Sequence, residues 1–92
     1  MIKQGEVAGR IGEISISVDV INRDPDAFEL LMKNFYPVHA DYNFMTNKIK
    51  YVGYSHFFRV KDINEFEPVY EVIFNRYPSG TMELIIKEKK GF

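Results

Sequence analysis

The chain has no cysteine, no tryptophan and only two histidines in 92 residues. Without thiols there is no disulfide framework, no iron–sulfur cluster, no cysteine-ligated zinc and no thiol nucleophile. Neither sign of charge is in surplus: twelve Lys and Arg stand against thirteen Asp and Glu, a net charge of -1. That balance excludes a polybasic nucleic-acid arm and a strongly acidic surface, and leaves local patches as the only charged binding sites. Long hydrophobic runs are missing as well. No apolar stretch is long enough to span a bilayer, and Met1-Ile2-Lys3-Gln4-Gly5 does not resemble a signal-peptide core. A cytoplasmic protein without membrane attachment is therefore expected. There is no fixed-period repeat, and no glycine-rich loop leads from a strand into a phosphate-binding helix.

What is present suits a small globular domain. With 46% hydrophobic and 15% aromatic residues, residues 1–92 are expected to form a single domain around one modest core, since a chain of this size buries roughly 60 to 70% of its unfolded surface. Twelve of the fourteen aromatic residues fall between Phe35 and Tyr77, so the bulky surfaces belong to the later elements.

Residues 13–20 alternate strictly, with Ile14, Ile16, Val18 and Val20 on one face and Glu13, Ser15, Ser17 and Asp19 on the other. This is the pattern of a half-buried strand. Asp24 then supplies an N-cap oxygen, Pro25 fits the first helical position and Asp26 complements the helix dipole. Phe28, Leu31, Met32 and Phe35 follow at helical spacing, and Pro37 limits the helix to about three turns. No second helix is expected. Period two returns with Val38, Ala40, Tyr42 and Phe44. A two-residue loop at Asn47-Lys48 would set Phe44 opposite Tyr51, Tyr42 opposite Gly53, Val38 opposite Phe57 and His39 opposite His56, gathering the apolar residues on one face. In that register a facing tyrosine covers the backbone at Gly53.

Residues 57–61 read as a continuation of this strand and residues 62–67 as an acidic connection closed by Pro68. β-branched Val69, Val72 and Ile73, together with Pro68, favour a strand over a helix there. Tyr77-Pro78-Ser79-Gly80 has proline and glycine where a three-residue hairpin loop needs them. That loop sets Tyr77 opposite Thr81, Phe74 opposite Leu84, Val72 opposite Ile86 and Glu71 opposite Lys87. Lys89, Lys90, Gly91 and Phe92 are expected to fray. The resulting fold is α+β: a four- or five-stranded, mainly antiparallel sheet with one helix packed on one face.

Three candidate sites follow. The first is the face of the sheet turned away from the helix, where Ile73 faces Ile85 near Tyr77, and Val52, Tyr54 and Met45 add apolar area on the neighbouring hairpin. A half-covered sheet of this kind seeks a partner. The second is a polar cluster of His39, Asp41 and His56, with Tyr54 alongside, which could bind a metal or relay a proton. The third is an aromatic and basic strand surface, Tyr54 and Phe58 with Lys50, Arg59 and Lys61, suited to single-stranded nucleic acid. Gly9-Arg10-Ile11-Gly12 has the spacing of the loop that clamps nucleic-acid backbone in KH domains, but is not a further candidate. That loop joins two helices, whereas a strand pattern follows here, so these glycines are read as a bend or bulge.

Ser55 and His56 are neighbours on one expected strand and point to opposite faces, so they do not form a nucleophile–base pair. With no catalytic constellation and no cofactor motif, the expectation is a non-enzymatic protein-interaction module or a small regulator or inhibitor. It would associate through its sheet with another protein or as a homodimer, with nucleic-acid binding as the alternative and a histidine-centred enzyme or metal protein third.

Overall fold

The computed structural model describes residues 9–89. Strand β1 (Ile11–Ser17) leads directly into helix α1 (Val18–Arg23), followed by α2 (Pro25–Lys33), β2 (Tyr36–Asn43), β3 (Lys48–Tyr54), β4 (Tyr70–Arg76) and β5 (Met82–Glu88). The alternating pattern of residues 13–20 is thus strand only as far as Ser17. Its Oγ accepts from the Asp19 N–H at 3.2 Å, and Asp19 sits in the first turn with Arg23 in the last, each complementing the dipole. Val18 and Val20 therefore belong to a helix rather than a strand, and Val20 and Ile21 pack against the core from it. Asp24 joins the two helices. Its backbone N–H donates to the Val20 carbonyl at 2.9 Å and closes α1, while its carboxylate accepts from the Ala27 N–H at 3.3 Å and opens α2.

Helix α2 starts at Pro25 as expected and buries Ala27 and Leu31. Phe35, beyond its end, is also buried, while Phe28 and Met32 are only half-buried. The helix stops at Lys33, where the Asn34 amide side chain donates to the Leu30 carbonyl at 2.9 Å. That provides a local partner for a carbonyl the helix end leaves free.

Sheet pairing departs from expectation in two ways. A single sheet of four or five strands is not formed: one sheet has three strands in the order β1-β3-β2 and the other is the β4-β5 hairpin. All three pairs are antiparallel. The two sheets touch through a parallel bridge between Glu13 and Val69, where the Glu13 N–H donates to the Pro68 carbonyl at 2.8 Å. The β2-β3 hairpin also closes through a four-residue turn, residues 44–47, instead of two residues. Asn43 faces Lys48, Tyr42 faces Ile49, Asp41 faces Lys50, Ala40 faces Tyr51 and His39 faces Val52, with a bulge between Pro37 and His39. Asn47 occupies the left-handed region at φ 54, a conformation asparagine tolerates well. The Tyr42 hydroxyl donates to its side-chain oxygen at 2.8 Å, and the Met45 N–H donates to Asn43 Oδ1 at 2.9 Å. The β4-β5 hairpin has the expected register throughout, from Tyr70 opposite Glu88 to Arg76 opposite Met82. Its turn is completed by Gly80 at φ 90.

The core is small. Ile14, Ile16, Ala27, Leu31, Phe35, Phe58 and Tyr70 are its buried apolar residues. Val72, Phe74, Leu84 and Ile86 pack against it from the second sheet. Phe58 lies not in a strand but in the segment of residues 55–69, which replaces the expected continuation of β3. Ser55, fully buried, holds that segment: its hydroxyl donates to the Asn34 carbonyl at 2.6 Å and accepts from the Phe57 N–H at 3.1 Å. The Phe58 ring stacks on Tyr70 at 4.2 Å and meets the edge of Phe35 at 5.9 Å. Of the residues expected to fray, Lys89 donates its N–H to the Val69 carbonyl at 2.7 Å; residues 90–92 lie outside the described residues.

Gly12 and Gly53 oppose one another across β1 and β3, and together they leave a notch that the aromatic rings fill. A Cβ at Gly12 would lie 2.6 Å from the Tyr70 ring and 2.9 Å from that of Phe58. At Gly53 it would lie 2.7 Å from the Phe35 ring and collide with the Tyr36 carbonyl. Gly53 is therefore covered by Phe35 and the start of β2, not by a facing tyrosine. Gly12→Ala and Gly53→Ala should each destabilise the fold by about 1–3 kcal/mol, as overpacking of a filled interior does. The effect should be larger at Gly53, where backbone is the obstacle. Urea denaturation measures it, and wild-type stability in both variants would contradict the notch.

Candidate interaction surface

Strand β2 is exposed along its whole length, although it carries two tyrosines, a valine, an alanine and a proline. Tyr36 is 59% exposed, Val38 53% and Tyr42 58%, and the following turn adds Phe44 at 76% and Met45 at 80%. The cause lies in the strand order. β3 is central and buries Tyr51 partly against the core through β1, whereas β2 is the outer strand and lies beyond the residues that α1, α2 and the second sheet cover. Val38, Ala40, Tyr42 and Phe44, expected to fill a shared apolar face, are thus on the surface. One edge of β2 pairs with β3, and no strand among the described residues pairs with the other.

The residues first singled out for partner binding fall into two places. Ile73 and Ile85 oppose each other on the hairpin face turned away from Val72, Phe74, Leu84 and Ile86, as the alternation required, and both are half-buried. Tyr77, 45% exposed, donates its hydroxyl to Glu83 Oε1 at 2.6 Å, and that carboxylate raises the phenol's pKa. Val52 and Tyr54 are half-buried on the first sheet, where Val52 faces His39 and Tyr54 faces Tyr36. Ile73 and Ile85 share no strand pairing with Val52 and Tyr54. Tyr36, Val38 and Tyr42 form an exposed group that the sequence pattern does not mark as a surface. The signal available for them was period two without any helix long enough to cover another strand.

The polar cluster divides. His39 Nε2 lies 2.8 Å from Asp41 Oδ2, two residues apart on one face. His56 is not opposite His39. It follows the end of β3, and its ring lies against Phe57 at 4.4 Å. Among the described residues no three His, Asp or Glu side chains converge as a metal site would require.

The expected nucleic-acid surface is also redistributed. Phe58 is a core residue, 1% exposed, and cannot stack on a base. Arg59 is clamped by two carboxylates: its Nη1 and Nη2 donate to Glu65 at 2.6 and 2.9 Å, and its Nε and Nη2 donate to Glu88 at 2.8 and 3.1 Å. Lys61 Nζ donates to the Asp62 carbonyl at 3.1 Å. Lys50 instead joins Lys48 and Lys89 around an open depression of about 390 Å³, whose wall includes Ser15, Asp41, Asn43 and Thr46. No helix of the described residues is long and apolar enough to cross a membrane.

The Arg59 clamp gives Glu65 a distinctive acid response. Hydrogen bonding to Arg59, then to the Asp62 N–H, lowers the Glu65 pKa from 4.5 to about 2, and the two carboxylates hold the guanidinium protonated. A carboxyl group that binds its proton less readily when folded adds stability above its unfolded pKa and loses it on the way down to its folded one. The wild type should therefore be more stable than Glu65→Gln at neutral pH. The gap should narrow from about pH 4.5 toward about 2, read as the difference in thermal midpoint by circular dichroism. A gap independent of pH would contradict the clamp.

No protein-family model, no curated protein and no solved structure matches this chain.

Proposed function

We propose that this chain is a non-enzymatic protein-interaction module that joins its partner through its sheet, with β2 as the principal contact. The observation that carries this reading is the exposure of Tyr36, Val38, Tyr42, Phe44 and Met45 along one strand and its turn, next to an edge that no described strand pairs. An edge strand whose exposed side chains are largely apolar offers a partner both surface to bury and, through its open edge, main-chain hydrogen bonding. Val52 and Tyr54 flank the contact, and the Ile73-Ile85 pair with Tyr77 offers a separate apolar face on the second sheet.

The test compares wild type with Val38→Lys/Tyr42→Lys and with Ile73→Glu/Ile85→Glu. Self-association is read by light scattering, partner recovery by affinity capture after nuclease treatment, and the fold by circular dichroism. The β2 variant should lose its protein partner and keep its fold, because neither side chain is in the core; the isoleucine variant should lose at most part of the association. A wild type that is monomeric and recovers no protein defeats the proposal. Unfolding of the isoleucine variant would place Ile73 and Ile85 in the core.

The lysine-lined depression favours one alternative, a single-stranded nucleic acid or other polyanion held at Lys48, Lys50 and Lys89 beside β2 and running along the same face of β3 to Tyr54. If that alternative holds, Lys50→Ala reduces the salt dependence of binding by about one unit of slope, while Tyr54→Ala lowers affinity at all salt concentrations through lost stacking. Titration with single-stranded RNA and DNA decides it, and no binding at low salt eliminates it.

A further inference from the structure

The unpaired edge of β2 is self-complementary in one register. Two copies of one strand related by a two-fold axis run antiparallel, and directly opposed residues must both turn their backbone groups toward the partner or both away from it. Those orientations alternate along a regular strand, so the axis must pass through a residue and not between two. Centred on His39, it would oppose the two histidines. Centred on Asp41, it would oppose two carboxylates, which is unfavourable. Centred on Tyr42, it would bring Ala40 opposite Phe44, which has already left the strand for the turn. Centred on Ala40, it opposes Ala40 to its own copy, sets His39 against the partner's Asp41 twice over, and lays Tyr42 on the bulge that begins at the partner's Pro37.

We infer that the partner of β2 is a second copy of this chain, joined edge to edge about a two-fold axis at Ala40 so that the three-stranded sheets become one of six strands. The inference rests on the interaction reading above and names its occupant. Three features of the strand support it. The only ionisable side chains of β2 besides its tyrosines are His39 and Asp41, and they stand two residues apart on one face with their side chains 2.8 Å from each other. In the Ala40-centred pairing each carboxylate already bonded to its own imidazole gains the partner's His39 as a second neighbour. The usual protection of an edge, a proline and a bulge, is confined to Pro37 and the residue after it, which leaves the segment from His39 to Asn43 open. The apolar side chains that border it, Val38 and Tyr42, would face each other across the junction, Tyr42 of one copy near the partner's Val38.

A charge exchange tests both the occupant and the register, using the full chain and sedimentation velocity from low micromolar to near-millimolar concentration. His39→Asp and Asp41→Lys should each weaken self-association about tenfold, because symmetry counts every mismatched pair twice. An equimolar mixture of the two should associate as the wild type does, since the new aspartate then faces the new lysine and the unaltered histidine faces the unaltered aspartate. Circular dichroism confirms that both variants fold. If the mixture fails to recover while Val38→Lys/Tyr42→Lys still abolishes a wild-type dimer, the register is overturned and the interaction reading survives. If a wild-type dimer is broken only by Ile73→Glu/Ile85→Glu, the other sheet is the interface and the inference fails. A wild type that stays monomeric throughout overturns the second copy as partner, and the interaction reading then stands or falls on recovery of a different protein.

Discussion

Gly12 and Gly53 face each other across β1 and β3, and the absence of two side chains at that point sets where everything else packs. Phe35, Phe58 and Tyr70 occupy the space, each arriving from a different part of the chain: the end of α2, the irregular segment after β3, and the start of β4. Rings brought so near the sheet backbone cannot be displaced sideways without losing contact with one another. The segment of residues 55–69 is accordingly tied down although it has no regular structure. Ser55 anchors one end of it, the Tyr70 hydroxyl accepts from the Arg59 N–H at 3.0 Å, and Arg59 spans Glu65 and Glu88.

A core placed over one glycine pair covers little of the sheet. The helices and the β4-β5 hairpin gather on the β1 side, with Asp24 serving both helices and receiving Arg76 of β4 at 2.8 Å. That ion pair lowers the Asp24 pKa and draws the second sheet to the helix junction. None of the side chains of β2 is buried by this arrangement, although Lys89, after β5, comes near Asp41 and Tyr42 across the depression. An aromatic-rich strand left at the margin is therefore a consequence of where the glycines are, and the surface on which the functional reading rests follows from the same packing as the core.

The parts of this architecture that sequence made legible are those governed by neighbouring residues. The turn residues of 77–80 set the β4-β5 register without error, and Asp24-Pro25-Asp26 marked the start of α2, because capping and turn chemistry act within a few positions. What was not legible depended on distant partners. Ser17 is a sufficient N-cap, yet alternation through Val20 imitates a strand, and only packing of Val20 and Ile21 on the core decides between them. The register that alternation suggests for β2-β3 requires Val38, Tyr42 and Phe44 to be buried together. They are not, and the left-handed turn at Asn47 prevails. Among candidate site residues, Ile73 and Ile85 face away from the core as alternation required. Phe58 and His56 were misplaced because both lie in a segment whose course is set by the glycine notch, not by any local period.

The two sheets also treat their free edges differently. On β5, Glu83, Lys87 and Glu88 interrupt the apolar residues, and charges of this kind discourage another strand from adding to an edge. Along β2 the only comparable groups are His39 and Asp41, and they are directed at each other. A carboxylate that already has a hydrogen-bond partner on its own strand is a weaker deterrent than an isolated lysine. The strand that the core leaves uncovered is thus also one whose edge, beyond Pro37 and its bulge, carries no lysine or arginine, and both properties belong to the same eight residues.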